Sequence, residues 1–187
     1  MERGLRHRAG HYEVLGETYA KFEFFEHGWN PYSRFLDVDK VDLILRRVTQ
    51  DGPVYREVQV KFGKLYQSRT GWQSQLFDET SWRFFKADEF GNADPSLFVA
   101  YVMSPDEGYR GDIFIFPVRE FAELLNQAPA VSSGKRRVFI SRCLGQPQKW
   151  VLRKQGRFQQ VNRRHALMSA RTGVTSAYWR NFDVLAP

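Results

Sequence analysis

Cysteine is almost absent from the 187 residues, and the single thiol, Cys143, has no partner for an internal disulfide. It also leaves too few thiolates for a Cys-rich zinc site, so a buried, inert thiol is expected. No apolar run is long enough to span a bilayer, and the charged opening MERGLRHRAG lacks a signal-peptide pattern. A cytoplasmic protein with no membrane association is the resulting expectation. No Gly-rich loop precedes a helix and no nucleophile elbow is present, while Ser132-Ser133 sits in a small-residue stretch of linker character. A triad hydrolase and a fold that holds a nucleotide cofactor are therefore disfavoured. The histidines His7, His11, His27 and His165 are scattered and form no ligand cluster in sequence.

What the chain does have is positive charge, unevenly placed. The net charge is +7, yet from Gly134 to Pro187 there are twelve Lys or Arg against one acid, Asp183. That third carries +11 and the remainder −4. Such a field attracts polyanions, of which nucleic acid is the commonest; an acidic protein partner or a solubilising surface would suit the same composition. With 42% hydrophobic and 16% aromatic residues, the length suits one domain, or one domain with a substantial appendage.

Periodicity divides the chain as follows. Residues 1–11 read as a flexible tail. From Tyr12 to Glu26, Tyr12, Leu15, Tyr19 and Phe22 recur at helical spacing, and Gly28 is a stop signal. Asn30-Pro31 turns the chain into a short strand, with Asp37 and Asp39 as loop acids. Residues 63–91 have bulky side chains of mixed period and read as a connection with some helix. LFVAYVM and DIFIF are strands, and VREFAELLNQ is an amphipathic helix. APAVSSG, residues 128–134, is the expected linker between a core over 12–127 and a basic extension over 135–187 that packs on it. In that extension, RRVFISRCL and KWVLRKQ suit a hairpin, and TSAYWRNFDVL suits a short docking helix. The order of elements predicts an α/β sandwich, a central mixed sheet flanked by helices.

Lys40 to Lys64 carries the chemical signal. Two strands flank Thr49-Gln50-Asp51-Gly52-Pro53, whose Asp-Gly pair favours a tight reversal. Alternation puts Arg56, Val58, Val60 and Phe62 on one face and Tyr55, Glu57, Gln59 and Lys61 on the other, with Asp42 able to pair near Gln59 and Lys61. A carboxylate, an amide oxygen and an ammonium on neighbouring strands suit a hard cation such as Mg²⁺ with a phosphate beside it. A solvated hairpin face with ordinary charge pairs suits the same residues, since Asp followed by Gln-x-Lys is common by chance. Close behind, Lys64, Tyr66, Arg69 and Trp72 alternate basic and aromatic character, as phosphate contact and base stacking require; aromatics so spaced are more often core.

Gly16-Glu17 in the first helix, Gly28-Trp29 at its end, Asp42 before Leu43-Ile44-Leu45, and Gln59-Val60-Lys61 together resemble the PD-(D/E)XK nuclease superfamily, in its Mrr-like branch where the third motif reads Gln-x-Lys. The resemblance spans residues 12–127 and implies a restriction-endonuclease-like fold and a Mg²⁺-dependent DNA endonuclease of restriction, repair or mobile-element type, with Mn²⁺ able to substitute. It implies Asp42, Gln59 and the Val60 backbone carbonyl as metal ligands, Glu17 as a further ligand directly or through water, and Lys61 as the group that orients the attacking water. Gln59 departs from the name-giving acid, and Glu57 is the runner-up ligand. Arg136, Arg137, Arg163 and Arg164, with Lys64 and Arg69, would grip DNA phosphates, and a homodimer would suit cutting of both strands. Two rival functions fit the same residues: a catalytically inactive nucleic-acid-binding protein on a nuclease-like scaffold, and a module whose basic region meets an acidic protein.

Overall fold

The computed structural model describes residues 5–33, 40–69, 71–131, 134–153 and 172–186. Among these residues it is a mixed α/β protein with two α-helices, α1 (Leu5–Glu26) and α2 (Val118–Gln127). Ten strands accompany them: β1 (Asn30–Ser33), β2 (Leu43–Thr49), β3 (Gly52–Gln67), β4 (Phe77–Lys86), β5 (Phe98–Ser104), β6 (Asp112–Pro117), β7 (Ala130–Val131), β8 (Lys135–Cys143), β9 (Trp150–Arg153) and β10 (Thr172–Val174). Every strand pair of defined register is antiparallel, and β5 pairs β3 as well. Short turns join β2 to β3 and β8 to β9, as antiparallel pairing allows.

The chain forms two compact units. The first comprises Met1–Phe62, Asp94–Val118 and Arg180–Pro187. Its strands run β1-β2-β3, with β5 pairing β3 and β6 pairing β5. The turn between β2 and β3 holds Gly52 at φ 117°, a left-handed value that an Asp-Gly reversal supplies without a Cβ clash. α1 covers one sheet face with Gly16, Ala20, Glu23 and Phe24, spaced four, three and one apart, all buried. The expected stripe is displaced: Tyr12 is 39% exposed and Phe22 62% exposed. Small residues decide this, because a Cβ on Gly16 would lie 3.0 Å from Cβ of Phe62, so the helix backbone lies close against β3. Residues 5–11, expected in the tail, belong to this helix. Ala20, Phe24 and Trp29 pack with Leu43, Leu45, Val58, Ala100, Val102, Ile113 and Ile115. At about 1.5–3 kcal/mol for each large apolar side chain buried, this cluster is the main source of cohesion in the unit.

The end of the chain returns to this unit. Phe182 and Leu185 are buried in the same cluster, and Arg56 donates to the carbonyls of Leu185 and Ala186 at 3.0 and 3.2 Å. The docking element is a 3₁₀ turn, Phe182–Leu185, capped by the Asn181 side chain. Arg180 donates to Glu23 Oε1 at 3.1 Å and to the Gly111 carbonyl at 2.9 Å, and Tyr109 donates to the same Glu23 oxygen at 2.9 Å. Burial, then the adjacent Glu23 carboxylate, pushes the Tyr109 phenol far above its ordinary value.

The second unit comprises Gly63–Ala93 and Arg119–Trp179. The end of β3 pairs with β4, and the order continues through β8, β9 and β10, with β7 on β8. The stretch expected as a connection with some helix is thus mostly strand, because Phe77 and Phe85 are buried while Trp82 and Phe84 stay exposed and blur the alternation. The linker expected at 128–134 falls inside this unit, where Ala130 and Val131 pair with Arg136 and Lys135. Phe121 of α2 meets Phe85 and Phe90 edge-on at 5.4 and 5.1 Å. Cys143 is buried, and that burial pushes its thiol up, as suits an inert core residue.

Candidate metal and nucleic-acid site

β2 and β3 are held in register by Leu43 opposite Val58 and Ile44 opposite Glu57. The ladder extends one step beyond β2, since the Asp42 N–H donates to the Val58 carbonyl at 3.0 Å. Lys40 takes a left-handed conformation, φ 58°, and bends the chain two residues before Asp42. Beyond that point the carboxylate takes over the pairing: the Val60 N–H donates to Asp42 Oδ2 at 2.6 Å. Asp42 thus lies at the edge where the two strands part. Backbone groups two residues apart point to the same strand edge, so the Val60 carbonyl shares the edge of the Val58 carbonyl and faces the side from which Asp42 approaches.

Gln59 stands next to this edge, and its burial is the unusual feature. Only 5% of the residue is exposed, and Oε1 has no hydrogen-bond partner. A buried, unpartnered amide oxygen costs about 1–3 kcal/mol, so a polar or cationic guest would relieve a real penalty. Lys61 shares the Gln59 face two residues on and is half-buried. The donor set is therefore a carboxylate, an amide oxygen and a strand carbonyl, all hard oxygens, beside an ammonium. These fit a hard divalent cation in chemical type.

Glu17 follows Gly16 on α1. α1 meets β3 through Gly16, which touches Val60 and Phe62, on the face opposite Gln59 and Lys61. The Glu17 carboxylate lies 3.6 Å from Lys21 one turn along the helix. Among the described residues, no group of three or more His, Cys, Asp or Glu side chains is arranged to hold a metal ion. Any cation here would depend on the amide and the carbonyl as much as on Asp42. Asp37 and Asp39 lie outside the described residues, and Glu57 sits opposite Ile44, one pair further into the ladder.

The residues expected to grip phosphate separate in the structure. Arg136 donates to the Ala128 carbonyl at 3.0 Å, directly after α2, where helix carbonyls lack partners, so it closes a helix end. Arg137 stands 4.8 Å above the Phe84 ring and 5.8 Å from that of Phe139. Lys64 lies 5.4 Å over Tyr66, and exposed Arg69 donates to the Gln67 side chain at 2.9 Å. Arg163 and Arg164 lie outside the described residues. Sequence reasoning missed Trp82, Phe84 and Phe139, whose rings share this surface; the signal was the W-x-F alternation inside TSWRFFK, hidden by Phe85 beside it. Glu23 and Arg180 were missed too, being 157 positions apart with nothing in local sequence to join them.

No family model matches the chain, and no curated protein matches it. Among solved structures it is similar to that of a bacterial homing endonuclease, I-Ssp6803I, with a TM-score of 0.44 and 14% identity over 92% of this chain and 87% of that one. Likeness at that level assigns no activity, and the site is judged on its own chemistry.

Proposed function

We propose that the protein is a Mg²⁺-dependent DNA endonuclease of the PD-(D/E)XK type, with Asp42, Gln59, the Val60 carbonyl and Lys61 as its working group. The observation that carries the proposal is the buried, unpartnered Gln59 Oε1 beside a carboxylate already anchored to the same strand. Asp42 and Gln59 would hold the ion with the Val60 carbonyl, and Mn²⁺ would replace it. Bound there, the ion's contribution is to acidify a water and offset phosphodiester charge. The chain's own residues do the rest. The Val60 N–H fixes the Asp42 carboxylate, and burial keeps the Gln59 amide oriented. Lys61 supplies a fixed positive charge that can hold the attacking water and counter the charge growing on the phosphate in the transition state. Glu17, on α1 beside Lys21, would reach the ion directly or through a water.

A binding protein without catalysis is the alternative, favoured by the neutral Gln59 where an acid would bind the ion more tightly. One experiment separates them. Supercoiled plasmid and short linear and branched DNAs are incubated with Mg²⁺, Mn²⁺ or EDTA. The proposal expects cutting that requires the metal and is lost in Asp42→Ala and Lys61→Ala; DNA binding with no cutting of any substrate, unchanged in both variants, would favour the alternative.

A further inference from the structure

The second unit exposes an aromatic surface that the proposed chemistry does not use. On β3 and β4, Tyr66, Trp82 and Phe84 are 42%, 44% and 39% exposed. Single exposed aromatics are ordinary, but these form a contiguous group. The Tyr66 and Trp82 rings are near-parallel, 18° apart in plane and 6.5 Å between centres, and Phe84 meets Trp82 at 5.5 Å and 79°. Trp82 is directly opposite Phe139 on β8, and Phe84 is opposite Arg137, so strand pairing holds the set on one sheet face. Between Tyr66, Trp82 and Phe139 opens a recess of about 200 Å³, with Ser68, Gln73 and Thr80 also in its lining. Its floor is polar: Thr80 Oγ1 lies 2.9 Å from Ser141 Oγ and 3.5 Å from Ser68 Oγ.

We infer that this face binds single-stranded DNA, with bases stacked on Trp82 and Tyr66 and one unstacked base seated in the recess. Rings supply faces for any base, amide and hydroxyl groups supply hydrogen bonds to a base edge, and Lys64 and Arg137 stand at the margins where phosphates would run. An acidic peptide would suit the two cations but has no use for exposed aromatic rings around a polar recess, and duplex DNA presents no free base face. The inference takes its ligand class from the proposed function, yet it stands on different residues and needs no metal, so the two fail separately.

The test is anisotropy and tryptophan quenching with the full chain in EDTA. It compares a labelled mixed-sequence single strand, the same sequence as duplex, a single strand of abasic sites, and poly-glutamate as competitor. Expected are tighter binding of the base-bearing strand than of the duplex or abasic strand by about tenfold or more, a similar loss in Trp82→Ala, and near-complete rescue in Trp82→Phe. Trp82 is nearly half exposed, so its replacement leaves the core intact, and circular dichroism checks this. Equal affinity for base-bearing and abasic strands, indifference to Trp82→Ala, or equal displacement by poly-glutamate would overturn the inference, whether or not the protein cuts DNA.

Discussion

Strand β3 breaks the usual division of polar and apolar residues twice, in opposite senses. Near Gln59 a polar side chain is buried without a hydrogen-bond partner, while near Tyr66 an aromatic one stands open to solvent beside exposed Trp82. The first fault costs free energy that a cation would recover, and the second leaves apolar surface that a planar ligand would cover. One strand thus carries two departures from simple folding logic, each with its own class of guest. Departures of this kind are where function is to be sought, since a chain selected only for stability would remove both.

The largest expected effect lies in the first half of the comparison. Asp42→Ala removes both a proposed ligand and the acceptor of the Val60 N–H, and single-turnover cleavage is expected to fall by about 10³-fold or more. Lys61→Ala should cost about 10²–10³-fold in the same assay while leaving the Mg²⁺ dependence unchanged, because it supplies charge rather than a ligand. Gly16→Val tests whether close helix contact sets the geometry of this half. The added atoms meet Phe62, and a loss of about 1–3 kcal/mol is expected, read as a melting temperature lower by about 2–4 °C per kcal/mol.

The smallest effect concerns the lock at the chain's end. Tyr109 is held protonated in the folded state above its unfolded value of about 10. Its contribution is therefore complete below about pH 10 and is lost as pH rises beyond that. Tyr109→Phe should lower stability by about 1 kcal/mol at neutral pH through the lost bond to Glu23, and the gap to wild type should close above about pH 10. Urea denaturation at stepped pH measures it, and a gap that stays constant would show that the phenol's proton plays no part.

Local sequence disclosed what depends on local pattern. The β2–β3 hairpin follows from its Asp-Gly reversal, α2 from its amphipathic spacing, and the β8–β9 hairpin from the turn at Gly145. The pairing of Asp42 with β3 was legible because the register is set by that short turn. Packing was less so. Gly16 and Ala20 lie off the stripe of Tyr12, Leu15, Tyr19 and Phe22, yet they are where α1 comes nearest the sheet. Their smallness, rather than their hydropathy, decided the face. β4 was obscured because bulky residues stand on both of its faces. The long-range join of Glu23 to Arg180 depends on where the whole chain ends up, which no window of sequence contains.

The most direct measurement is the Mg²⁺ dependence of single-turnover DNA cleavage in wild type, Gln59→Glu and Gln59→Leu. If Gln59 Oε1 is a ligand, Gln59→Glu will reach half-maximal rate at lower Mg²⁺, and Gln59→Leu will be folded, even stabilised by losing a buried unpartnered oxygen, but inactive. Cleavage by Gln59→Leu at the wild-type rate with an unchanged Mg²⁺ profile would contradict the account, since the buried amide would then be no part of a metal site.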